Sequence, residues 1–328
     1  MTWQISFILA LQNLPGLTGV MRFFSFLGTE EFYLLFMPAI YWCVDATLGA
    51  RLAVMLVSSA SLNALLKLAF HLPRPYWVDA QVKALSTEPA YGLPSGHAMN
   101  AVAIWGSLAA QLKKRWVWAA ALGLIFLISL SRLYLGAHFP TDVLGGWVFG
   151  AVVVWALLKW EAPVRARLAQ WSLGTQIGAV FVLSLIYLAL VAGILTALGA
   201  RPDPVGWGQT ARAAVSPAVA DNAYGPRNPE GAVTAAGLLF GLGAGLALTS
   251  RYARFDARGP WGKRAARFGL GIVGALVFWL GLKMVFPTEP FLLGMTLRYG
   301  RYALTGLWVF YLAPWVFVKT KLAERLPA

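Results

Sequence analysis

The sequence predicts an all-α, polytopic integral membrane bundle, and three observations carry that prediction. The 328 residues are 59% hydrophobic and 12% charged, with a mean hydropathy of +0.65. Apolar runs near the ~20 residues that span a bilayer as a helix recur along the chain, separated by short polar breaks. Long alternating polar and apolar segments, the mark of an outer-membrane barrel, are nearly absent, and 15 Trp with 11 Tyr fit aromatic belts at the two interfaces.

Residues 5 to 28 hold two short apolar pieces broken at Asn13-Leu14-Pro15-Gly16, each too short to span, and they read as interfacial or re-entrant helices. Spans are expected from about Phe32 to Leu48 and from about Arg51 to Phe70, the second closed by Pro73-Arg74-Pro75. After a polar, Pro-containing loop come spans from Ser95 to the Lys113-Lys114-Arg115 break, from Trp116 to about Ser131 and from Thr141 to about Trp160. Four more are expected near 176–198, 231–249, 268–286 and 302–318, for about nine in all. In domain terms this is an N-terminal segment over 1–30, a helical core over 31–160 and additional spans over 161–328. The Pro-, Gly- and Asp-containing connection from Gly199 to Glu230 reads equally as a lid or as a solvated linker.

The net charge of +14 is assigned to orientation and to anionic lipid headgroups, and nucleic acid is not an expected partner. Basic residues collect on one side of the bilayer, at Arg51, Lys113–Arg115, Lys159–Arg167, Arg251–Arg267 and Lys319–Arg325, which marks that side as cytoplasmic. Cys43, the single cysteine, excludes an intrachain disulfide and a Cys-based metal cluster. Met1 to Ala10 lacks the pattern of a cleaved leader, so the first segments are expected to remain.

Polar residues concentrate between Lys67 and Asp142, where Lys67, Arg74, His97, Arg132, His138 and Asp142 all fall at or near the ends of apolar runs. Counting crossings brings these ends to one face, away from the cytoplasm. Cations beside a Ser-Gly pair that opens a helix make an anion site, and phosphate is the common anion needing so many donors. Lys67, Arg74 and Arg132 are then phosphate clamps, with Ser95 and Gly96 offering helix-start N–H groups and Gly96 permitting close approach. His138 and Asp142 are four apart, one turn if the segment is helical, and a His held by an Asp is a nucleophile or base arrangement. Pro140 complicates the helical reading.

Lys67, six residues, then Arg74-Pro75; Pro94-Ser95-Gly96-His97; and Ser131-Arg132, five residues, His138, three residues, Asp142 together resemble the three-part signature of the type 2 phosphatidic acid phosphatase superfamily. Phe26 to Glu31 and the additional C-terminal spans look like its sphingosine-phosphate phosphatase branch and bacterial relatives. The resemblance implies hydrolysis of a lipid phosphate without metal or cofactor, through a covalent phosphohistidine. By position, His138 is the implied nucleophile, Asp142 its partner and His97 the acid for the leaving oxygen, while Lys67, Arg74, Ser95, Gly96 and Arg132 bind the phosphoryl oxygens. Isoprenoid diphosphate, phosphatidic acid, phosphatidylglycerol phosphate and sphingoid phosphates are candidate substrates. A phosphotransferase that passes the phosphoryl group to an acceptor lipid or glycan would use the same residues, and a non-enzymatic scaffold is disfavoured by the intact motifs.

Three lesser assignments remain. Asn63, one turn before Lys67, would support that lysine or pack between helices, and Gly145-Gly146 would let helices approach. His71 is read as an interfacial bystander.

Overall fold

The computed structural model describes residues 2–327, and among them regular structure is helical, apart from one isolated bridge between Phe255 and Arg325. In chain order the N-terminal helices are α1 (Thr2–Gln12), α2 (Thr18–Phe26), α3 (Glu30–Cys43) and α4 (Ala46–Phe70). The motif region continues with α5 (Pro75–Val78), α6 (Gly96–Ala101), α7 (Ser107–Leu112), α8 (Arg115–Tyr134) and α9 (Pro140–Ala169). After these come α10 (Leu173–Gly199), α11 (Val205–Ala213), α12 (Glu230–Tyr252), α13 (Trp261–Leu276), α14 (Leu282–Val285), α15 (Phe291–Leu307) and α16 (Ala313–Lys319). The break between α1 and α2 falls at Asn13–Leu17, where Pro15 and Gly16, the latter at φ 77°, stop the first helix.

Among the described residues, seven stretches are long and apolar enough to cross a membrane, or eight if α2 and α3, bent by 49°, count as one span. That differs from nine for identifiable reasons. The Gly96–Leu112 segment, capped by Ser95, is continuous but winds as six α-helical, five π-helical and six α-helical residues, the π turn (Val102–Gly106) adding a local bulge. The Phe32 span stops at Cys43 because Asp45 Oδ1 accepts the Leu48 N–H at 2.9 Å, so this acid caps α4 and starts a new helix. The last two spans are both present but begin earlier than expected, since Arg267 and Arg298 lie inside helices. Arg267 donates to the carbonyls of Asp256 and Ala257 at 2.7 and 2.8 Å, and Arg298 pairs with Glu230 at 2.7 Å, so both charges are paid for by partners. The long exposed apolar faces, such as Phe181, Val182, Ile186 and Leu190 on α10, are those of an integral membrane protein whose solvent is lipid.

The chain divides into two compact units. One comprises Met1–Phe32, Leu62–Ala156 and Val191–Asn228, and the other Tyr33–Ser61, Leu157–Leu190 and Pro229–Ala328. In the second, Trp42 and Tyr41 fill a core with Val309, Phe310 and Phe317, and their polar edges are satisfied by the Val309 carbonyl at 2.9 Å and the Phe310 carbonyl at 3.2 Å. There α12 and α15 touch backbone to backbone, and a Cβ at Gly241 would stand 2.2 Å from the Ala303 carbonyl oxygen. Close approach of this kind is how helices gain contact when lipid removes the hydrophobic drive between them.

The first unit holds every motif residue. Its N-terminal helices dock on the motif segments through polar side chains: Gln4 Oε1 accepts from the Thr141 hydroxyl at 3.0 Å, and Gln12 Nε2 donates to the Lys83 carbonyl at 2.8 Å. Residues 199–228 are packed into the same unit. Trp77 meets Tyr224 ring to ring at 4.8 Å and donates to the Ala223 carbonyl, and Asp203 accepts from the Tyr91 hydroxyl at 2.8 Å while pairing with Arg227. This connection is therefore docked on the Trp77–Tyr91 segment through Asp203, Tyr224 and Arg227, while positions such as Val205 and Ser216 on it are exposed.

Candidate active site

The site is made where four helix ends converge. Lys67 and Arg132 lie in the last turns of α4 and α8, Ser95 is the cap of α6, and Asp142 lies in the first turn of α9. Convergence needs close backbone approach, and Gly146 supplies it: a Cβ there would stand 2.7 Å from the Ser95 carbonyl oxygen. Asn63 fixes the turn before α6 by donating to the Pro94 carbonyl at 3.1 Å, so it supports the Pro-Ser-Gly-His turn.

Arg74 is fully buried and spends its guanidinium on five partners. It donates to the carbonyls of Ala90 (2.6 Å), Ala137 (2.9 Å) and Tyr91 (3.2 Å), and to the Glu88 carboxylate (2.8 Å), while Nη1 lies 3.2 Å from His138 Nε2. Lys67 Nζ donates to the Tyr91 carbonyl at 2.7 Å. Arg132 donates to the hydroxyls of Ser25 at 2.6 Å and Ser86 at 3.2 Å, and to Glu88.

His138 precedes its helix instead of sharing it. Pro140 occupies the first position of α9, which suits its fixed φ and missing N–H. The chain between is held by Asp142, whose Oδ2 accepts the Phe139 N–H at 2.9 Å and lies 3.3 Å from His138 Nδ1. A guanidinium can only donate, so Nε2 facing Arg74 is the unprotonated nitrogen and Nδ1–H points to the carboxylate. Burial, and then the nearby charges of Arg74 and Lys67, hold the imidazole well below its ordinary pKa. The result is a buried, neutral imidazole with its lone pair aimed into the cluster.

The other motif positions lie around the same cluster. His97 lies with Nδ1 3.6 Å from Glu88 Oε1, and its buried Nε2 has no hydrogen-bond partner among the described residues. Ser95 uses its N–H on the Asp142 carbonyl at 2.9 Å and its hydroxyl on the Ala98 N–H at 3.5 Å. It therefore ties α6 to α9, and the first-turn amides that no intrahelical carbonyl can reach are those of Gly96 and His97. His71 hydrogen-bonds the Ala69 carbonyl and makes an edge contact with Tyr91.

Sequence reasoning missed Glu88. Its carboxylate is the hub of the cluster: Arg74 and Arg132 donate to it, Lys67 Nζ is 4.0 Å away, and His138 Nε2 is 3.9 Å from Oε2. Burial alone would raise its pKa, but Arg74 and Arg132 outweigh that and hold it well below the usual carboxylate range. One signal for it existed. The three candidate clamps Lys67, Arg74 and Arg132 call for acids, and Asp79, Glu88 and Asp142 are the only acids from Lys67 to Asp142.

Residues 48–165 match the family described as the PAP2 superfamily, and residues 233–325 match the transmembrane extension of PAP2 superfamily phosphatases. The chain is 35% identical over 139 residues to sphingosine-1-phosphate phosphatase 2 of Mus musculus, covering 40% of this chain and 39% of that protein. It is 32% identical over 209 residues to glucose-6-phosphatase 3 of Bos taurus, covering 55% of this chain and 59% of the relative. The chain thus spans less than two thirds of the length of these curated relatives. The crystal structure of the first transmembrane PAP2 type phosphatidylglycerolphosphate phosphatase from Bacillus subtilis aligns with 48% of this chain and 86% of its own at 25% identity, with a TM-score of 0.41. With the three motifs converging inside residues 48–165 and the transmembrane extension following them, the chain belongs to the PAP2 superfamily.

Proposed function

We propose that this protein is a membrane phosphatase that hydrolyses a lipid phosphate ester or diphosphate through a phosphohistidine at His138. The observation that carries the reading is the neutral His138 Nε2 facing a pocket of buried cations, with Asp142 behind Nδ1. Nε2 attacks phosphorus, the bond from phosphorus to the lipid oxygen breaks, and His97 protonates that oxygen. Arg74, Arg132, Lys67 and the free amides of Gly96 and His97 at the head of α6, which Ser95 holds in place, stabilise the charge spread over the phosphoryl oxygens. Asp142 balances the phosphoimidazolium, and after the lipid leaves, water attacks phosphorus while His97 takes its proton, the bond from phosphorus to His138 Nε2 breaks, and phosphate departs.

Two features support a lipid substrate approached from the bilayer. The clamping residues sit at the ends of membrane-length helices, and sphingosine-1-phosphate phosphatases are among the relatives. Drawing a chain out of lipid costs about 0.8 kcal/mol per CH₂, which favours a lateral entrance. A water-soluble phosphate ester is the second reading, and the similarity to glucose-6-phosphatase 3 favours it. The distribution of basic loops supports a site on the non-cytoplasmic face.

Phosphate release by purified protein across long-chain phosphomonoesters, isoprenoid diphosphates and their short water-soluble analogues tests this. Long-chain substrates are expected to have far higher kcat/KM, with turnover abolished in His138→Ala and slowed by orders of magnitude in His97→Ala. Near-wild-type turnover by His138→Ala would remove the covalent mechanism. Equal efficiency on diacyl and soluble forms would select the second reading.

A further inference from the structure

We infer that Glu88 is an intramolecular occupant of the phosphoryl site, which substrate must displace; this rests on the phosphoryl-site reading above. The carboxylate offers a pair of anionic oxygens to the same guanidiniums that would hold a phosphoryl group. Arg74 Nη2 donates to Oε2 at 2.8 Å and Arg132 Nη2 donates to Oε1. Oε2 stands 3.9 Å from His138 Nε2 and Oε1 stands 3.6 Å from His97 Nδ1, so the carboxylate lies between both imidazoles. A phosphorus poised for attack must stand roughly 3–3.5 Å from the attacking nitrogen. That space is the one the Glu88 carboxylate fills, and two anions facing the same guanidiniums would also repel.

The way Glu88 is held separates its backbone from its side chain. A single hydroxyl, that of Tyr76, accepts the Glu88 N–H at 3.2 Å and donates to the Glu88 carbonyl at 2.9 Å. The main chain is thereby pinned, whereas the side chain is 28% exposed and Pro89 beside it is exposed. Rotation about the Glu88 side-chain bonds clears the site without unfolding the loop. With no ligand bound, the carboxylate gives the buried guanidiniums the counter-charge that burial requires. With a phosphoryl group bound, that group takes over the same role, so the exchange leaves no buried cation unpaired. Because entry is an exchange, the site favours anions that outcompete a carboxylate for two guanidiniums, namely dianionic phosphate monoesters over singly charged diesters.

Affinity for orthovanadate, a tetrahedral phosphate mimic, tests the inference, using the full-length protein in detergent and calorimetric titration. A site whose open state is populated about one part in ten binds about tenfold more weakly than its intrinsic constant. Glu88→Gln is therefore expected to bind vanadate about tenfold more tightly than wild type, with a lower KM for substrate. Glu88→Asp, with a carboxylate one methylene shorter, should tighten binding by less, and it serves as the comparison if Glu88→Gln melts early. Unchanged or weaker vanadate binding in the folded Glu88 variants overturns the inference and makes the residue a structural clamp. Arg74→Ala separates the two levels. Lost vanadate binding in Arg74→Ala together with no gain in Glu88→Gln sinks only the displacement inference, whereas undiminished binding in Arg74→Ala sinks the phosphoryl-site reading on which it stands.

Discussion

Replacing Asp142 by Asn keeps the size of the side chain and an oxygen for the Phe139 N–H while removing the charge that faces His138. In the structure that charge stands 3.3 Å from His138 Nδ1. At an effective dielectric of about 20, a carboxylate at this separation from an imidazolium is worth about 5 kcal/mol. The imidazole becomes positive only when it is phosphorylated or protonated, so the interaction belongs to the transition state and intermediate rather than to the resting site. Each 1.36 kcal/mol is a factor of ten in rate. Because the amide oxygen retains part of the orientation, the expected loss is about a thousandfold in kcat, with KM changing little. Initial-rate phosphate release under saturating long-chain substrate measures it, with thermal melting of the same preparation establishing that the variant is folded. A folded Asp142→Asn enzyme with kcat within threefold of wild type would refute the assignment of Asp142 as the partner of a nucleophilic His138.

Three further outcomes are expected. Because burial and nearby cations depress the His138 pKa, falling pH reaches the ordinary imidazole value near ~6.5 without protonating Nε2. The acid limb of kcat/KM, with substrate ionisation factored out, should therefore show no inflection there and should decline only at lower pH; an inflection near that value would contradict a neutral, buried nucleophile. Asn63→Ala, which strips the hydrogen bond to the Pro94 carbonyl, should destabilise the protein by about 1 kcal/mol, and Gly146→Ala, whose Cβ would press on the Ser95 carbonyl, by about 1–3 kcal/mol; both are read from thermal melting, with wild-type melting the refuting result. In a Cys43→Ser background, Ser216→Cys lies at an exposed position and should be modified by an impermeant thiol reagent added from outside. Labelling only after the membrane is opened would reverse the proposed orientation.

The sequence by itself determined the solvent of this protein and which motif residues gather in one cluster. Apolar run length is a one-dimensional quantity, set by the thickness of the bilayer, so α4, α8, α9 and α10 were legible before any coordinates. Motif residues at the ends of such runs inherit that regularity, and this is why Lys67, Ser95, Arg132 and Asp142 were expected to meet and do so. Span boundaries were less legible where a charge lies within a helix, since Arg267 and Arg298 look like loop markers until their partners across the fold are known.

Only the tertiary structure decided what fills the space between the motifs. Glu88 sits in a Pro-flanked irregular loop with neither helical nor strand periodicity, so nothing local distinguishes it from a solvated acid. Its position is a balance between the cost of burying Arg74 and Arg132 without a counter-charge and the freedom of one loop side chain to supply it. The packing of residues 199–228 onto Trp77 and Tyr91 was equally hidden, since Asp203, Tyr224 and Arg227 are more than a hundred residues from the segment they contact. Contacts made across such separations depend on where long helices return the chain, and that is fixed by packing in three dimensions rather than by the pattern of neighbouring residues.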